Sequence, residues 1–176
     1  MKNKNASGLL LTVTACLLAM PSPPANATEQ VVSGRASVVD GDTLELHGLR
    51  MRLDAIDAPE ARQRCRHNGD EWPCGRRAAF ALADMIGTRP VTCRWRTHDR
   101  YRRAIARCEA GDTDLGGWMV EQGWALAYRR YGLRYVGQEQ RARAQRRGIW
   151  AGRFVPPWAL RRGNDRTVSA ESYAGT

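Results

Sequence analysis

The chain has 176 residues, with 28 lysine and arginine residues against 18 aspartate and glutamate residues, and a formal net charge of +10. Its apolar run at residues 8–20 is about 13 residues long, which is too short for the roughly 20 residues of a permanent transmembrane helix. The length suits one domain rather than several. The positive charge favours a polyanionic partner, although a solvated arginine-rich surface would give the same count.

Residues 1–27 have the pattern of a secretory signal peptide. Lys2 and Lys4 precede the apolar run, and a small-residue cleavage site ends at Ala27. We therefore expect cleavage after Ala27 and a secreted or periplasmic protein without a stable membrane span, with a net charge of about +8 once both lysines are removed. Cys16 lies in a sequence that resembles a bacterial lipobox, so a lipoprotein anchored through this cysteine is the alternative.

Four cysteines follow the predicted cleavage site, and they are Cys65, Cys74, Cys93 and Cys108. An even number behind a signal peptide indicates two disulfide bonds formed in an oxidising compartment. Of the three possible pairings, we favour Cys65 with Cys74 and Cys93 with Cys108, because the second pair would face each other across a predicted hairpin. A zinc site that combines these cysteines with His67 is the competing interpretation, although the sequence has no Cys-x-x-Cys pair.

The first half of the mature chain has the pattern of β-strands. Residues 31–46 are rich in β-branched side chains around an Asp-Gly turn, which predicts a hairpin of two strands. Residues 49–56 then alternate between an apolar and a charged face. The apolar face holds Leu49, Met51, Leu53 and Ala55, and the charged face holds Arg50, Arg52 and Asp54.

Three helices and a second hairpin are predicted after this strand. Apolar residues at helical spacing indicate a helix over residues 75–87, ended by Gly87. Residues 91–96 and 103–109 form a hairpin with a basic turn. A short helix follows the capping residues 112–114, and a polar, arginine-rich helix covers residues 138–147.

The order of these elements predicts an α+β fold. The strands are grouped along the chain and the helices cover one end of the sheet that they form. Five short strands favour a closed barrel. We expect this domain to span residues 28–162. Residues 163–176 lack periodicity and are predicted to be a disordered tail.

Carboxylates and arginines gather in three segments, residues 39–43, 52–60 and 99–103. Hydrolysis of a phosphodiester needs an activated water, relief of charge on the phosphoryl oxygens and accurate positioning. Each segment by itself has an ordinary interpretation, because an isolated Asp-Gly is usually a hairpin turn. An EF-hand is excluded, because Glu45 and Met51 stand where that loop requires glycine and glutamate.

These residue types divide naturally among the tasks of hydrolysis. Asp42 and Asp57 are candidate metal ligands, because clustered carboxylates repel one another without a cation and oxygen ligands select a hard ion such as Ca²⁺ or Mg²⁺. Glu60 follows a proline at the end of a strand and is a candidate general base. Arg52 and Arg103 can each offer forked donors to a phosphate.

Taken together, the three segments resemble the staphylococcal nuclease family. They read Asp-Gly-Asp-Thr, Arg-Leu-x-x-Ile-Asp-Ala-Pro-Glu and Asp-x-Tyr-x-Arg, in this order, and the resemblance covers about residues 31–160. It implies a five-stranded OB-fold barrel with about three helices. It also implies Asp42, Asp57 and the Ala58 carbonyl as Ca²⁺ ligands, Glu60 as the general base, and Arg52 and Arg103 as phosphate contacts.

Three tyrosines extend the resemblance to this family, and two features differ from its usual pattern. Tyr128 and Tyr131 match aromatics of its nucleotide pocket, and Tyr101 in the third motif is a further candidate substrate contact. Arg102 stands where the family usually has glycine, and would alter the turn that aims Arg103 or add a phosphate contact. A disulfide in the loop after Glu60 would stiffen it.

The sequence therefore predicts a secreted, monomeric, Ca²⁺-dependent nuclease that cuts DNA and RNA with little sequence specificity. The alternative is a non-catalytic OB-fold module that binds nucleic acid or another polyanion through its arginines. A binder has no need of three carboxylates beside a phosphate site, because they repel the ligand unless a metal is present. A surface lipoprotein that binds a glycan or a host polyanion is a third interpretation.

Overall fold

The computed structural model describes residues 28–173. The predicted signal peptide, the alternative lipidation site at Cys16 and residues 174–176 lie outside this range. Among the described residues, no helix combines the length and the apolar character that crossing a bilayer requires.

Short strands and helices alternate along the described residues. The strands are β1 Gln30–Gly34, β2 Ser37–Asp40, β3 Thr43–Leu46, β4 Leu49–Leu53, β5 Ile56–Asp57, β6 Cys65–His67, β7 Asp70–Trp72, β8 Val91–His98, β9 Ala104–Ala110, β10 Thr113–Asp114 and β11 Leu126–Ala127. The α-helices are α1 Cys74–Ile86, α2 Leu115–Glu121, α3 Val136–Ala144 and α4 Pro157–Leu160. Single 3₁₀ turns lie at Arg129–Tyr131 and Gly148–Ala151.

The main sheet is curled into a barrel. Its hydrogen-bonded order is β1-β8-β9-β4-β3-β2, with β4 and β9 parallel. β1 and β2 lie at opposite ends of this order, yet only Arg35 and Ala36 separate them in the chain, so the sheet must bend until its ends meet. β1 and β2 are therefore two halves of one bent strand. With β3, β4, β8 and β9 they give the five strands of the predicted α+β, OB-fold architecture, which is confirmed.

The predicted first hairpin is wrong in its extent. β1 pairs antiparallel with β8, so that Val32 lies opposite Cys93, and only β2 and β3 form a hairpin around the Asp-Gly turn. The strand expected over residues 49–56 also ends early, because Ala55 has a φ of 58° and turns the chain before β5. Local alternation does not reveal which distant strand supplies the hydrogen-bonding partner.

The barrel interior is filled by apolar side chains from the strands and from one face of α1. Ala78, Leu82 and Ile86 are buried at the spacing of a helix face. α2 begins at the predicted cap, where Asp114 accepts a hydrogen bond from the Gly117 N–H. The third predicted helix is present but covers Val136–Ala144 instead of residues 138–147.

Both predicted disulfides are present. Cys65 is bonded to Cys74 with an S–S distance of 2.03 Å, and Cys93 to Cys108 with 2.00 Å. The second pair occupies facing positions of β8 and β9, as predicted. Closing loops of this length stabilises a fold by roughly 3 kcal/mol each in the chain-entropy model. All four mature cysteines are oxidised, which excludes the zinc-site interpretation.

The C-terminal segment is packed against the domain, not disordered as the sequence predicted, over residues 163–173. Val168 forms a β-bridge with Phe154, and Tyr173 is buried against the rings of Trp150 and Trp158. The Tyr173 hydroxyl donates to the Glu139 carboxylate on α3 at 3.4 Å. A few anchoring contacts hold this segment without any periodic pattern, and sequence periodicity therefore does not detect it. We call residues 163–173 the C-terminal strap.

We expect Tyr173→Ala to lower the free energy of unfolding by about 3 kcal/mol, because it removes a buried aromatic ring from the cluster. Urea denaturation followed by tryptophan fluorescence measures this change. Tyr131→Ala is the matched control: Tyr131 is 64% exposed, and the same substitution there should cost less than about 1 kcal/mol. Equal effects of the two substitutions would show that the strap is not held in place.

Candidate active site

One cleft, of about 930 Å³, gathers most of the residues that the sequence singled out. It opens at the end of the barrel where the Asp-Gly turn, the loop after β5, the turn after β8 and the end of α4 meet. The predicted site residues that line it are Asp42, Arg52, Ala58, Glu60, Tyr101, Arg103, Tyr128 and Tyr131. Asp57 lies directly beneath, fully buried, and bonds to Arg52 in the lining.

Arg52 bridges the two candidate ligand carboxylates. Its Nη1 donates to Asp42 Oδ1 at 3.0 Å, and its Nη2 donates to Asp57 Oδ1 at 2.7 Å. The register of the β3–β4 hairpin causes this contact, because it pairs Arg52 with Thr43, the residue after Asp42. Both carboxylates are buried, and burying them without a cation would cost several kcal/mol each. Arg52 therefore compensates the charge that the fold confines here.

This compensation is incomplete at Asp42. Burial raises the pKa of Asp42 to about 7; the Arg52 guanidinium opposes this effect, and the nearby Asp40 and Asp57 carboxylates add to it. Burial lowers the pKa of Arg52, but the Asp42 and Asp57 carboxylates outweigh this effect and raise the pKa above its ordinary value. The carboxylate pair thus favours a further positive charge beside it.

Gly41 brings the Asp-Gly turn against the loop that follows β5. A Cβ atom on Gly41 would lie 2.7 Å from the Ala58 Cβ, so only glycine permits this approach. As a result the Ala58 N–H reaches Asp42 Oδ2 at 3.4 Å. The main chain of Ala58 therefore lies beside the carboxylates of Asp42 and Asp57. The role of the Ala58 carbonyl as a ligand stays a prediction.

The donor set of this site suits a hard cation. It consists of oxygen atoms on two carboxylates, with a main-chain segment beside them, and such donors select Ca²⁺ or Mg²⁺ over softer metals. Between residues 28 and 173, no group of three or more His, Cys, Asp or Glu side chains is arranged to hold a metal. Side chains would therefore supply only two ligands, and a bound ion would complete its shell with main-chain oxygen and water.

The turn after β8 determines where Arg103 points. Asp99 Oδ1 accepts hydrogen bonds from the main-chain N–H groups of Tyr101 at 2.9 Å and Arg103 at 3.0 Å, and Asp99 Oδ2 accepts from Arg103 Nε at 2.8 Å. On its other side Arg103 Nη1 contacts Thr43 Oγ1 at 3.4 Å, and that hydroxyl donates to Asp42 Oδ1 at 3.0 Å. Asp99 thus holds Arg103 beside the carboxylate pair.

Arg102 keeps the backbone shape that its usual glycine would take. Its φ is 66°, in the left-handed region, and its side chain is exposed. This conformation costs an arginine roughly 1–2 kcal/mol. Asp99 accepts hydrogen bonds from both flanking N–H groups and so fixes the turn on both sides of Arg102. The predicted effect of this arginine on the direction of Arg103 stays a prediction.

The loop that carries Glu60 is held from three directions. The Glu60 N–H donates to the buried Gln63 Oε1 at 3.1 Å, and Gln63 Nε2 donates to the Val155 carbonyl at 2.7 Å. A Cβ on Gly75 would lie 1.8 Å from the Glu60 carbonyl oxygen, so the start of α1 packs closely on this loop. The adjacent Cys74 is tied to Cys65. These contacts stiffen the loop, as the sequence predicted.

Three further residues belong to this site, which are Gln63, Trp158 and Arg161. Gln63 and Arg161 were not predicted from the sequence, and Trp158 was one of six tryptophans that the sequence did not distinguish between stacking platforms and core anchors. Trp158 stacks on Tyr128 with ring centroids 5.5 Å apart and an interplanar angle of 22°. Arg161 donates from Nη1 to Glu60 Oε1 at 2.6 Å and from Nη2 to Asp57 Oδ2 at 2.7 Å. None of the three lies in a recognisable motif, and the two from the C-terminal region reach the cleft only through the fold.

The family profile described as "Staphylococcal nuclease homologue" matches residues 50–152, more than half of the chain. The chain belongs to the staphylococcal nuclease family. The matched range contains Arg52, Asp57, Glu60 and Arg103, and the Asp42 turn precedes it. The resemblance predicted from the three motifs is thus confirmed.

Proteins of several bacteria are similar to this chain. It is 37% identical over 145 residues to the succinoglycan biosynthesis protein ExoI of Rhizobium meliloti (strain 1021), covering 79% of this chain and 75% of that protein. It is 33% identical over 184 residues to a micrococcal nuclease of Shigella flexneri, and the match covers 94% of this chain and 99% of that protein. An uncharacterized endonuclease of Haemophilus influenzae is 28% identical over 148 residues, covering 80% and 78%.

We expect Asp99→Ala to release Arg103 and to lower the free energy of unfolding by about 1–3 kcal/mol, because two N–H groups and a guanidinium lose their acceptor. NMR of the arginine Nε–H groups should show faster hydrogen exchange at Arg103. Arg102→Gly is the control in the same turn: relief of the left-handed strain is offset by roughly 0.5–1 kcal/mol of added chain entropy. An unchanged Arg103 signal in Asp99→Ala would contradict the anchoring role of Asp99.

Proposed function

We propose that this protein is a secreted, Ca²⁺-dependent nuclease that hydrolyses phosphodiester bonds of DNA and RNA with little sequence specificity. The observation that carries the proposal is the convergence in one cleft of Arg52, Glu60 and Arg103 with the buried carboxylates of Asp42 and Asp57. The similarity to a micrococcal nuclease over almost the whole length of that protein supports it.

The two arginines would bind the phosphate and stabilise the transition state. Arg52 contacts Asp42, and Arg103 contacts the neighbouring Thr43, so both guanidinium groups lie beside the same turn. A phosphate at this turn would meet both of them. Negative charge grows on the phosphoryl oxygens as the nucleophile attacks, and donors already in place can lower the barrier by several kcal/mol.

Glu60 would act as the general base. Its side chain is 43% exposed at the cleft, and its loop is fixed by Gln63 and the start of α1. It would take a proton from a water molecule that attacks the phosphorus opposite the leaving oxygen. Asp42, Asp57 and the Ala58 main chain would hold the divalent ion, which supplies neutralisation of phosphate charge when bound.

Aromatic rings beside the cleft fit a single-stranded or locally opened nucleic acid. Tyr128, Tyr131 and Trp158 form a continuous group, with Tyr128 and Tyr131 centroids 5.1 Å apart. Tyr101 and Tyr131 are each 64% exposed. Rings stack on every base alike, which accounts for low sequence specificity. All these residues come from one chain, and we propose that the monomer is active.

Two disulfides support the proposed secreted or periplasmic location, because cytosolic thiols are kept reduced. The expected signal peptide at residues 1–27 points to the same location. Sequencing the N-terminus of the protein after export from its host tests this part of the proposal directly.

A non-catalytic module that binds polyanions is the second candidate. The observation in its favour is that Arg52 and Arg161 already form ion pairs with Asp42, Asp57 and Glu60. Such a cleft would bind a polyanion in a metal-independent manner and leave it intact. Binding without cleavage in the following experiment would favour this candidate.

We expect purified residues 28–176 to cleave plasmid and heat-denatured DNA in Ca²⁺ and to lose this activity in a calcium chelator. Glu60→Gln should lower kcat by roughly 100-fold or more, because the general base is lost while the side-chain shape is kept. Glu71→Gln, an exposed glutamate on the β6–β7 hairpin, is the control and should retain full activity. Gel electrophoresis measures both reactions.

We expect Arg103→Ala to lower kcat by about 100- to 1,000-fold with a smaller change in KM, because its donors act mainly on charge that develops in the transition state. Steady-state kinetics with a short fluorogenic oligonucleotide separate the two constants. Arg94→Ala removes the same charge from β8, outside the cleft, and should change neither constant appreciably. Retention of most activity in Arg103→Ala would refute its assigned role.

A further inference from the structure

Arg161 places a tethered positive charge between a proposed metal ligand and the proposed general base. It is the residue after α4, and its guanidinium spans Asp57 Oδ2 at 2.7 Å and Glu60 Oε1 at 2.6 Å. Neither contact is needed for phosphate binding or for proton transfer as proposed above. The role of this arginine at the site is therefore open.

Both oxygen atoms of Asp57 are occupied by guanidinium donors. Arg52 Nη2 takes Oδ1 at 2.7 Å, and Arg161 Nη2 takes Oδ2 at 2.7 Å. Asp57 is fully buried, so neither oxygen is available through solvent. A divalent ion that uses Asp57 as a ligand would lie beside both cationic donors, and their charge opposes its binding unless one of them moves away.

Arg161 is the donor that is free to leave. The side chain of Arg52 is 15% exposed, lies on β4 and is also bonded to Asp42. The side chain of Arg161 is 41% exposed, and both of its bonds are to the carboxylates that would serve the ion and the water. Rotation of one side chain into solvent therefore vacates Asp57 Oδ2.

The backbone around Arg161 does not need to move. Trp158, one turn earlier on α4, is 5% exposed and stacked on Tyr128. The Val155 carbonyl accepts the hydrogen bond from Gln63 Nε2 that also connects to the Glu60 loop. The segment before Arg161 is thus anchored by contacts that do not involve the Arg161 side chain. If this side chain leaves Asp57, the anchored segment keeps its guanidinium close to the site.

We propose that Arg161 is a built-in competitor of the divalent ion: it occupies the cation position at Asp57 in the metal-free protein and is displaced when the ion binds. The same displacement frees Glu60 Oε1, which Arg161 Nη1 otherwise holds at 2.6 Å. Metal loading and release of the general base are thereby coupled through one side chain. This inference rests on the proposed metal-dependent function.

The coupling lowers the affinity for the ion. An ion that binds only the form with Arg161 displaced has an apparent dissociation constant raised in proportion to the scarcity of that form. Removal of the competing charge should therefore tighten ion binding. If Arg161 instead aligned Asp57 and Glu60 for the ion, its removal would weaken binding, so the sign of the change separates the two roles.

The test is isothermal titration of Ca²⁺ into the substrate-free mature protein, which does not depend on activity. We expect Arg161→Gln to bind Ca²⁺ about tenfold or more tightly than the unaltered protein. Arg161→Lys keeps a charge at the site and should fall between the two, and it also serves if the glutamine variant is poorly folded. Thermal melts of each variant establish that it is folded.

Arg166→Gln is the matched control for general electrostatics. Arg166 lies in the C-terminal strap, is exposed and does not line the cleft, and its substitution removes the same unit of charge. We expect its Ca²⁺ affinity to change less than about twofold, because solvent and salt screen an exposed charge outside the cleft.

The outcomes separate this inference from the function on which it rests. Equal or weaker Ca²⁺ binding by Arg161→Gln, or an equal gain in Arg166→Gln, would overturn the competitor role and leave metal dependence standing. The absence of Ca²⁺ binding in every variant, including the unaltered protein, would overturn the proposed metal dependence and the inference together.

Discussion

Burial of two carboxylates against one guanidinium is the constraint on which the rest of the site depends. Asp42 and Asp57 are almost inaccessible to solvent, and Arg52 bonds to both. A carboxylate pair of this kind is unfavourable without a compensating cation. The arrangement also demands the observed strand register, because a slip of one residue between β3 and β4 would turn Arg52 to the opposite face. The stability of the barrel and the chemistry of its open end thus share the same ion pairs.

Around this centre, the side chains of the candidate active site come from separate parts of the chain. A hairpin turn brings Asp42, a fixed loop brings Glu60, and a tight turn anchored by Asp99 brings Arg103. The C-terminal region closes the cleft with Trp158 and Arg161. Each part is held by its own hydrogen bonds, and Asp99 fixes the turn on both sides of Arg102.

The arginines that give the chain its positive charge lie in two kinds of place. Many arginines form exposed ion pairs on the surface, such as Arg64 with Glu71 and Arg141 with Glu121, and contribute little to stability. Others line the cleft, and these are Arg50, Arg52, Arg100, Arg103, Arg130, Arg161 and Arg162. The net charge by itself therefore indicates a polyanionic partner without locating it. Only the concentration of arginine around the cleft shows where a phosphate chain would lie.

The sequence by itself determined the family, the α+β class, the expectation of two disulfides, the helices α1 and α2, and the residues that meet at the carboxylate centre. These follow from motifs and from periodicities that act over a few residues. Only the tertiary structure decided the pairing of β1 with β8, the packing of the strap, and the roles of Gln63 and Arg161. Gln63 contacts a carbonyl 92 residues away, and Arg161 a carboxylate 104 residues away. No local pattern distinguishes one arginine among so many, because its partner is chosen by the path of the folded chain.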